Sequence, residues 1–210
     1  MIGFLFAGLR FGILGLTVLV SLQTVFANIF VVKQITLFGL SVTCSDVFMV
    51  GGLLALNLLQ EFFGKESATR AVRVSLFSAV FFVAMVEMHL LYAPNSDDLT
   101  QPAFLQIFSA TPRIVVASLV VFFLVQQIDM RIFGWMQKKW NGRQLPLRIG
   151  LSLFISQSID TVLFSFAGLY GIVASVTAVI IVSLPIKFLS IACSAPFTAM
   201  CRKFVKVKES

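Results

Sequence analysis

Six apolar stretches, each about long enough to cross a bilayer, fill most of the 210 residues and constrain the fold more than any other feature. A hydrocarbon core about 30 Å thick needs roughly 20 helical residues at about 1.5 Å rise each. The runs are continuous, whereas the strands of a membrane barrel alternate apolar and polar residues, so every stretch is predicted to be a helix. The predicted spans are residues 9–32, 44–63, 72–92, 111–137, 147–167 and 172–200.

Composition indicates a chain surrounded by lipid. Hydrophobic residues make up 59% of the sequence, charged residues only 12%, and the mean hydropathy is +0.99. No linker or low-complexity tract separates the spans, and the cysteines form no CxxC pair that would suggest a disulfide framework or a zinc site. The sequence therefore predicts an all-α polytopic membrane protein with six transmembrane helices in one bundle, a single domain over residues 1–210, and no cofactor or metal.

Lysine and arginine fall almost entirely on alternate sides of the predicted spans. Cytoplasmic loops retain these residues, which predicts that both termini are cytoplasmic. This side carries Arg10, Lys65, Arg70, Arg73, Lys138, Lys139, Arg143, Arg148, Arg202, Lys203, Lys206 and Lys208. Orientation in the bilayer also accounts for the formal charge of +7, so nucleic-acid binding is not predicted. A cleaved signal peptide ending near Ala27 is the alternative interpretation of the first span.

Polar residues inside the fifth span give the sharpest indication of function. Gln157, Asp160, Thr161 and Phe164 share one helical face and offer an amide, a carboxylate, a hydroxyl and an aromatic ring. Asp160 lies about 18 Å along the helix axis from Arg148, near the middle of the bilayer. Because a charged side chain at that depth is costly, this face is predicted to line an internal binding site.

The second span carries a polar stripe of Asp46, Asn57, Gln60 and Glu61. Glu61 is a candidate for ligand binding, and the alternative is an interfacial salt bridge with Lys65, four residues on.

The fourth and sixth spans add further charged candidates. Helical angles put Arg113, Gln127 and Arg131 on one face of span four and place Gln126 with Asp129 on nearly the opposite face, which leaves pathway and interface roles both open. Lys187 lies between two prolines in the sixth span, where broken helices of transporters often expose backbone to a cavity. A buried lysine needs a counter-ion, and Asp160 is the predicted partner.

These positions together resemble the queuosine precursor transporter family. The resemblance covers nearly the whole chain and includes Asn28, Lys33, the segment 57–65, Ala68, Arg113, Ala117, Ser118, Gln127, Asp129, the Ser156-Gln157-Ser158-Ile159-Asp160-Thr161 motif, Phe164, Lys187 and Pro196. Asn57 departs from the family, which more often has aspartate there.

The resemblance implies inward transport of a 7-deazaguanine, such as queuine or its 7-cyano or 7-aminomethyl precursors, across a bacterial inner membrane for queuosine salvage. Gln157 and Asp160 complement a guanine-like edge, Phe164 stacks on the ring, and Glu61 or Glu87 meets a cationic amine if the substrate has one. The expected substrate-binding residues are Asn28, Asn57, Glu61, Arg113, Gln127, Gln157, Asp160, Thr161, Phe164 and Lys187.

Alternating access by a monomer or a homodimer is the expected mechanism, and the partners are the small-molecule substrate and the bilayer. No Walker motif is present, so the alternative is a membrane substrate-binding subunit driven by a separate ATPase. Enzyme activity is not predicted, because the single histidine, His89, lies near a span end and the sequence contains neither GxSxG nor HExxH.

Overall fold

The computed structural model describes residues 2–31, 33–37, 40–43, 45–108, 112–141, 143–171 and 176–206. Helices dominate this part of the chain. In chain order the elements are α1 (Ile2–Arg10), α2 (Gly12–Phe30), β1 (Gln34–Leu37), β2 (Leu40–Thr43), α3 (Asp46–Leu90), α4 (Gln101–Phe108), α5 (Pro112–Lys139), α6 (Leu145–Phe164), a π-helical turn (Ser165–Leu169) and α7 (Val176–Lys206).

Five helices are long and apolar enough to cross a bilayer. They cover Gly12–Phe30, Asp46–Leu90, Val116–Lys139, Leu145–Leu169 and Val179–Cys201.

The difference from six predicted spans lies in α3. This helix has 45 residues, about 68 Å at 1.5 Å each, which is more than twice the thickness of the hydrocarbon core. Gly64 interrupts it with φ 84° and ψ 164°, a conformation that glycine adopts readily and other residues do not. The predicted second span ends just before Gly64 and the third follows it, and the six-helix count stays a prediction.

The predicted first span, 9–32, corresponds to the long helix α2 and to the end of the short helix α1. Gly12 turns the chain between them with φ 69°, and α1 folds back against α2. The backbones approach closely, because a Cβ added at Gly15 would overlap the carbonyl oxygen of Gly8. With nine residues, about 14 Å, α1 is too short to span a bilayer.

A two-stranded antiparallel hairpin joins α2 to α3. Gln34 pairs with Thr43, and Leu37 pairs with Leu40. The all-α prediction missed this hairpin because it considered only segments long enough to cross the membrane. Its β-branched residues, such as Ile35 opposite Val42, favour extended backbone.

The first arm of α3, residues 46–63, forms the centre of the bundle. Every residue from 50 to 60 is buried. α3 packs against α2, α5, α6 and α7, and Gly51, Gly52 and Ala55 provide the small side chains that let helices approach one another. A helix buried on all sides in this way positions its polar residues inside the protein.

The bundle exposes large apolar side chains and buries many polar ones. Large apolar side chains are exposed on the outside of the bundle, including Phe11, Leu14, Phe77 and Ile181. The buried polar side chains on the inside are Ser21, Gln23, Thr24, Ser45, Asp46, Asn57, Gln60, Ser75, Gln126, Asp129, Arg148, Ser152, Ser156, Gln157, Asp160, Thr161, Ser165, Lys187, Ser194 and Thr198. An apolar exterior around an interior with many buried polar groups is the arrangement of a multi-pass membrane protein with an internal site.

Candidate functional site

A buried ion pair between α6 and α7 lies at the centre of the candidate site. The ammonium of Lys187 donates hydrogen bonds to Asp160 Oδ2 at 2.8 Å and to Thr161 Oγ1 at 3.0 Å. The Thr161 hydroxyl donates to the Gln157 carbonyl oxygen at 2.8 Å, which fixes its orientation. The predicted pairing of Asp160 with Lys187 is confirmed, as expected for opposite charges held away from water.

A second carboxylate shares the same lysine. Asp46 is the first residue of α3, and its Oδ1 lies 3.6 Å from the Lys187 ammonium nitrogen. The exposed fractions of the Asp46 and Lys187 side chains are only 7% and 5%. Sequence analysis placed Asp46 on the polar stripe of the second span but not in the site, because nothing in the sequence shows that α3 begins beside α7.

These three side chains border an internal cavity of about 180 Å³. The cavity lies at the end of the bundle where α2 and α6 finish and where α3, α5 and α7 begin. Its lining is Thr24, Ala27, Asn28, Val31, Ser45, Asp46, Met49, Ser118, Val121, Phe122, Asp160, Thr161, Phe164, Ser165, Leu169, Val179, Ser183 and Lys187.

One hydrogen bond in the cavity wall links α5 to α2, and a second lies within α2. The Ser118 hydroxyl donates to Asn28 Oδ1 at 2.9 Å, and Asn28 Nδ2 donates to the Thr24 carbonyl oxygen at 3.0 Å. On another wall, the π-helical turn after α6 contributes Ser165 to the lining, and such turns frequently occur at functional sites. The cavity therefore combines charged groups, amide and hydroxyl groups, and aromatic rings.

Five of the predicted site residues line this cavity. They are Asn28, Asp160, Thr161, Phe164 and Lys187. Gln157 is fully buried one helical turn from Asp160 but is not part of the lining. Gln127 on α5 is half-buried and also lies outside the lining. The side chain of Arg113 falls outside the described part of the chain.

A layer of buried polar side chains on α3, α5 and α6 lies next along the bundle. Asp129 Oδ1 accepts hydrogen bonds from Ser152 at 2.6 Å and Ser156 at 2.8 Å, and Asn57 lies beside the same carboxylate. Within the described residues, the side-chain amide atoms of Gln157 have no hydrogen-bond partner. We call Asn57, Asp129, Ser152, Ser156 and Gln157 the polar layer. Asp129 is fully buried, so it does not have the interface role that the sequence left open for it.

A second buried ion pair closes the opposite end of the first arm of α3. Arg148 on α6 donates from Nη1 to Glu61 Oε2 at 3.0 Å and from Nη2 to Glu61 Oε1 at 2.8 Å. Gln137 Nε2 donates to the same Glu61 Oε2 at 3.0 Å, and the guanidinium lies 5.2 Å from the centre of the Phe133 ring. We call the Glu61–Arg148 pair the clamp.

The clamp places Glu61 away from the cavity. Its carboxylate pairs with Arg148 on α6 and not with Lys65. The alternative prediction of a salt bridge was therefore right about the type of interaction and wrong about the partner. Arg148 was counted only as an orienting cation, yet its side chain is 0% exposed. An arginine at the start of a span gives no signal in one sequence that it turns inward.

Comparison with known proteins shows which families and relatives the sequence matches. Residues 43–201 match a family model described as "Putative vitamin uptake transporter". The chain is similar to a protein of Bacillus subtilis (strain 168) named "Probable queuosine precursor transporter", with 32% identity over 198 residues that cover 93% of this chain and 86% of the relative. No solved structure matches the chain.

Proposed function

Because the chain belongs to the queuosine precursor transporter family, we propose that it carries a 7-deazaguanine base inward across the bacterial inner membrane. The cargo is queuine or its 7-cyano or 7-aminomethyl precursor, and it supplies queuosine for tRNA modification. One observation carries the proposal: an internal cavity in which Lys187, Asp160 and Asp46 meet, inside a bundle with an apolar exterior.

The chemistry of the cavity suits a guanine-like edge. This edge has two donors, the ring N–H and the exocyclic amine, and one acceptor, the carbonyl oxygen. Asp160 accepts from both donors, since an ionised carboxylate takes a pair of parallel hydrogen bonds. The Gln157 amide lies one helical turn from Asp160, outside the lining and without a hydrogen-bond partner among the described residues. It is proposed to turn toward the bound base and donate to the carbonyl oxygen.

The shape of the cavity suits a small aromatic base. A buried cavity of about 150 Å³ accepts benzene, so the volume here, about 180 Å³, is on the scale of a compact ring system. Phe164 and Phe122 both border it and offer apolar faces for stacking. Asn28 and Ser118 provide further donors and acceptors at the rim of the base.

The proposed topology has six crossings, with α3 crossing twice through the break at Gly64. The distribution of cationic residues supports a cytoplasmic location for both termini and for the turn at Gly64. With this orientation the cavity lies toward the outside of the cell, and the clamp lies toward the cytoplasm.

The polar layer and the clamp both lie on the cytoplasmic side of the cavity, which supports transport by alternating access. A base that enters from outside meets Asp160 first and is then separated from the cytoplasm by the polar layer and the clamp. Release inward requires the Glu61–Arg148 pair to separate while the outer end closes. Asn57 and Gln127 are proposed to contact the substrate on its path from the cavity to the cytoplasm. Arg113 is proposed to contact it near the outer end.

The test is rescue of queuosine-modified tRNA in bacteria that cannot make the precursor, with each candidate base supplied separately. Wild-type protein is expected to restore the modification, and Asp160→Asn, which loses the charge that binds both donors, is expected to abolish it. Asp97→Asn makes the same chemical change on an exposed loop and serves as the matched control. Full rescue by an Asp160→Asn protein that inserts normally refutes the proposed site.

A second measurement separates a self-sufficient carrier from a subunit that needs an ATPase. The purified chain is reconstituted into liposomes, and uptake of a labelled base is followed without any other protein. Uptake is expected. Its absence in liposomes, combined with rescue in cells, would show that another component drives transport.

A further inference from the structure

The cavity holds more negative than positive charge. Of the described residues that line it, Lys187 is the cation, and Asp46 and Asp160 are the anions. When all three side chains are ionised, one negative charge has no compensating partner among the described residues that line the cavity. An uncompensated charge away from water is costly, so the site favours a ligand that brings a positive charge.

The two carboxylates are not equivalent. Asp160 Oδ2 lies 2.8 Å from the lysine nitrogen and accepts a hydrogen bond, whereas Asp46 Oδ1 lies 3.6 Å away. Asp46 Oδ2 is buried and has no hydrogen-bond partner among the described residues. Asp46 is therefore the carboxylate with an oxygen still available to a ligand.

Asp46 lies beside a cation, the Lys187 ammonium. It is the first residue of α3, where the unpaired backbone N–H groups of a helix N-terminus favour negative charge. Both carboxylates approach the same lysine nitrogen, at 2.8 and 3.6 Å, so these two oxygens lie no more than 6.4 Å apart. Carboxylates this close can contact two parts of one bicyclic base.

We propose that Asp46 is a specificity-determining residue that selects 7-deazaguanines carrying a protonated amine on the 7-substituent. Asp160 binds the guanine-like edge common to all of these bases, and Asp46 binds the ammonium that only some of them carry. The aminomethyl base is thus preferred over the neutral cyano base. This inference rests on the proposed function and refines its substrate class.

The test compares initial uptake rates of the aminomethyl and cyano bases, as kcat/KM, in wild-type protein and in Asp46→Asn. Wild-type protein is expected to prefer the aminomethyl base by about 10-fold to 100-fold, the range for a hydrogen bond between charged groups out of water. Asp46→Asn is expected to bring the ratio close to one. Asp97→Asn, on the exposed loop, is expected to keep the wild-type ratio.

A matched ligand keeps the test valid if Asp46→Asn fails to fold. A 7-hydroxymethyl base has the size of the aminomethyl base but no charge, and wild-type protein is expected to transport it about 10-fold or more less efficiently. Equal kcat/KM for the aminomethyl, hydroxymethyl and cyano bases overturns the inference and leaves the proposed function intact. Failure of wild-type protein to carry any of the three refutes the proposed function itself.

Discussion

Removing the guanidinium of the clamp provides a direct test of how this bundle is held together. Arg148→Met keeps the length of the side chain but removes three hydrogen bonds, two to Glu61 and one to the carbonyl oxygen of Arg143. The Arg148 and Glu61 side chains are only 0% and 8% exposed, so the substitution leaves a carboxylate away from water and without its cation. Breaking a buried pair in this way costs about 3–5 kcal/mol.

That cost corresponds to a rise in the unfolding equilibrium constant of roughly a hundredfold to several thousandfold. The assay is reversible unfolding of purified protein in mixed detergent micelles titrated with SDS. The double variant Glu61→Gln/Arg148→Met removes both charges and is expected to recover at least about 2 kcal/mol of the loss, since a neutral pair avoids the uncompensated charge.

The chain offers a matched control on its surface. Arg70 and Glu66 form an ion pair at 2.6 Å, but the exposed fractions of their side chains are 74% and 80%. Arg70→Met is expected to cost less than about 0.5 kcal/mol, because water screens exposed pairs four residues apart on a helix. Equal costs for Arg148→Met and Arg70→Met would refute the reasoning that burial makes the clamp strong.

Three further predictions follow from close contacts and from topology. Gly15→Ala is expected to cost about 1–3 kcal/mol in thermal unfolding because the new Cβ overlaps neighbouring backbone, whereas Gly150→Ala meets open space and is expected to be neutral or stabilising. Phe164→Leu is expected to raise the KM for the base about tenfold through lost stacking, while exposed Phe166→Leu leaves it unchanged, as measured by uptake. Alkaline phosphatase, used as a reporter of location outside the cytoplasm, is expected to be inactive when it is fused to the C-terminus. It is expected to be active when it is inserted in the loop at 93–99.

The sequence predicted the ion pair of the site, because two opposite charges in apolar segments need each other as partners. Asp160 and Lys187 are opposite charges in apolar segments, and a bilayer interior leaves such residues few alternatives to pairing. The same reasoning located the fifth-span face, because three- and four-residue spacing fixes which side chains share a helical surface. It also ended the second span next to Gly64, where the structure breaks α3.

Contacts between helices distant in sequence were not predictable in the same way. Asp46 and Arg148 each meet a charge on another helix, and only the packed bundle shows which helices are neighbours. Helical angles placed Gln126 and Asp129 on a different face from Gln127, but they did not predict which face turns inward. In the structure Gln126 and Asp129 are buried. A single sequence gives the relative angles within a helix and leaves its rotation in the bundle undetermined.

The fully enclosed segment at residues 50–60 has a consequence for biogenesis. A ribosome delivers this stretch to the membrane before α5, α6 and α7 have been synthesised. Until α5 arrives, Gln60 lacks the Met130 carbonyl oxygen to which its amide donates at 3.0 Å, and both Gln60 and Asn57 face acyl chains or the insertion machinery. Nascent chains that stop after α3 thus display polar side chains to lipid, an arrangement that is costly in free energy until α5 packs against them.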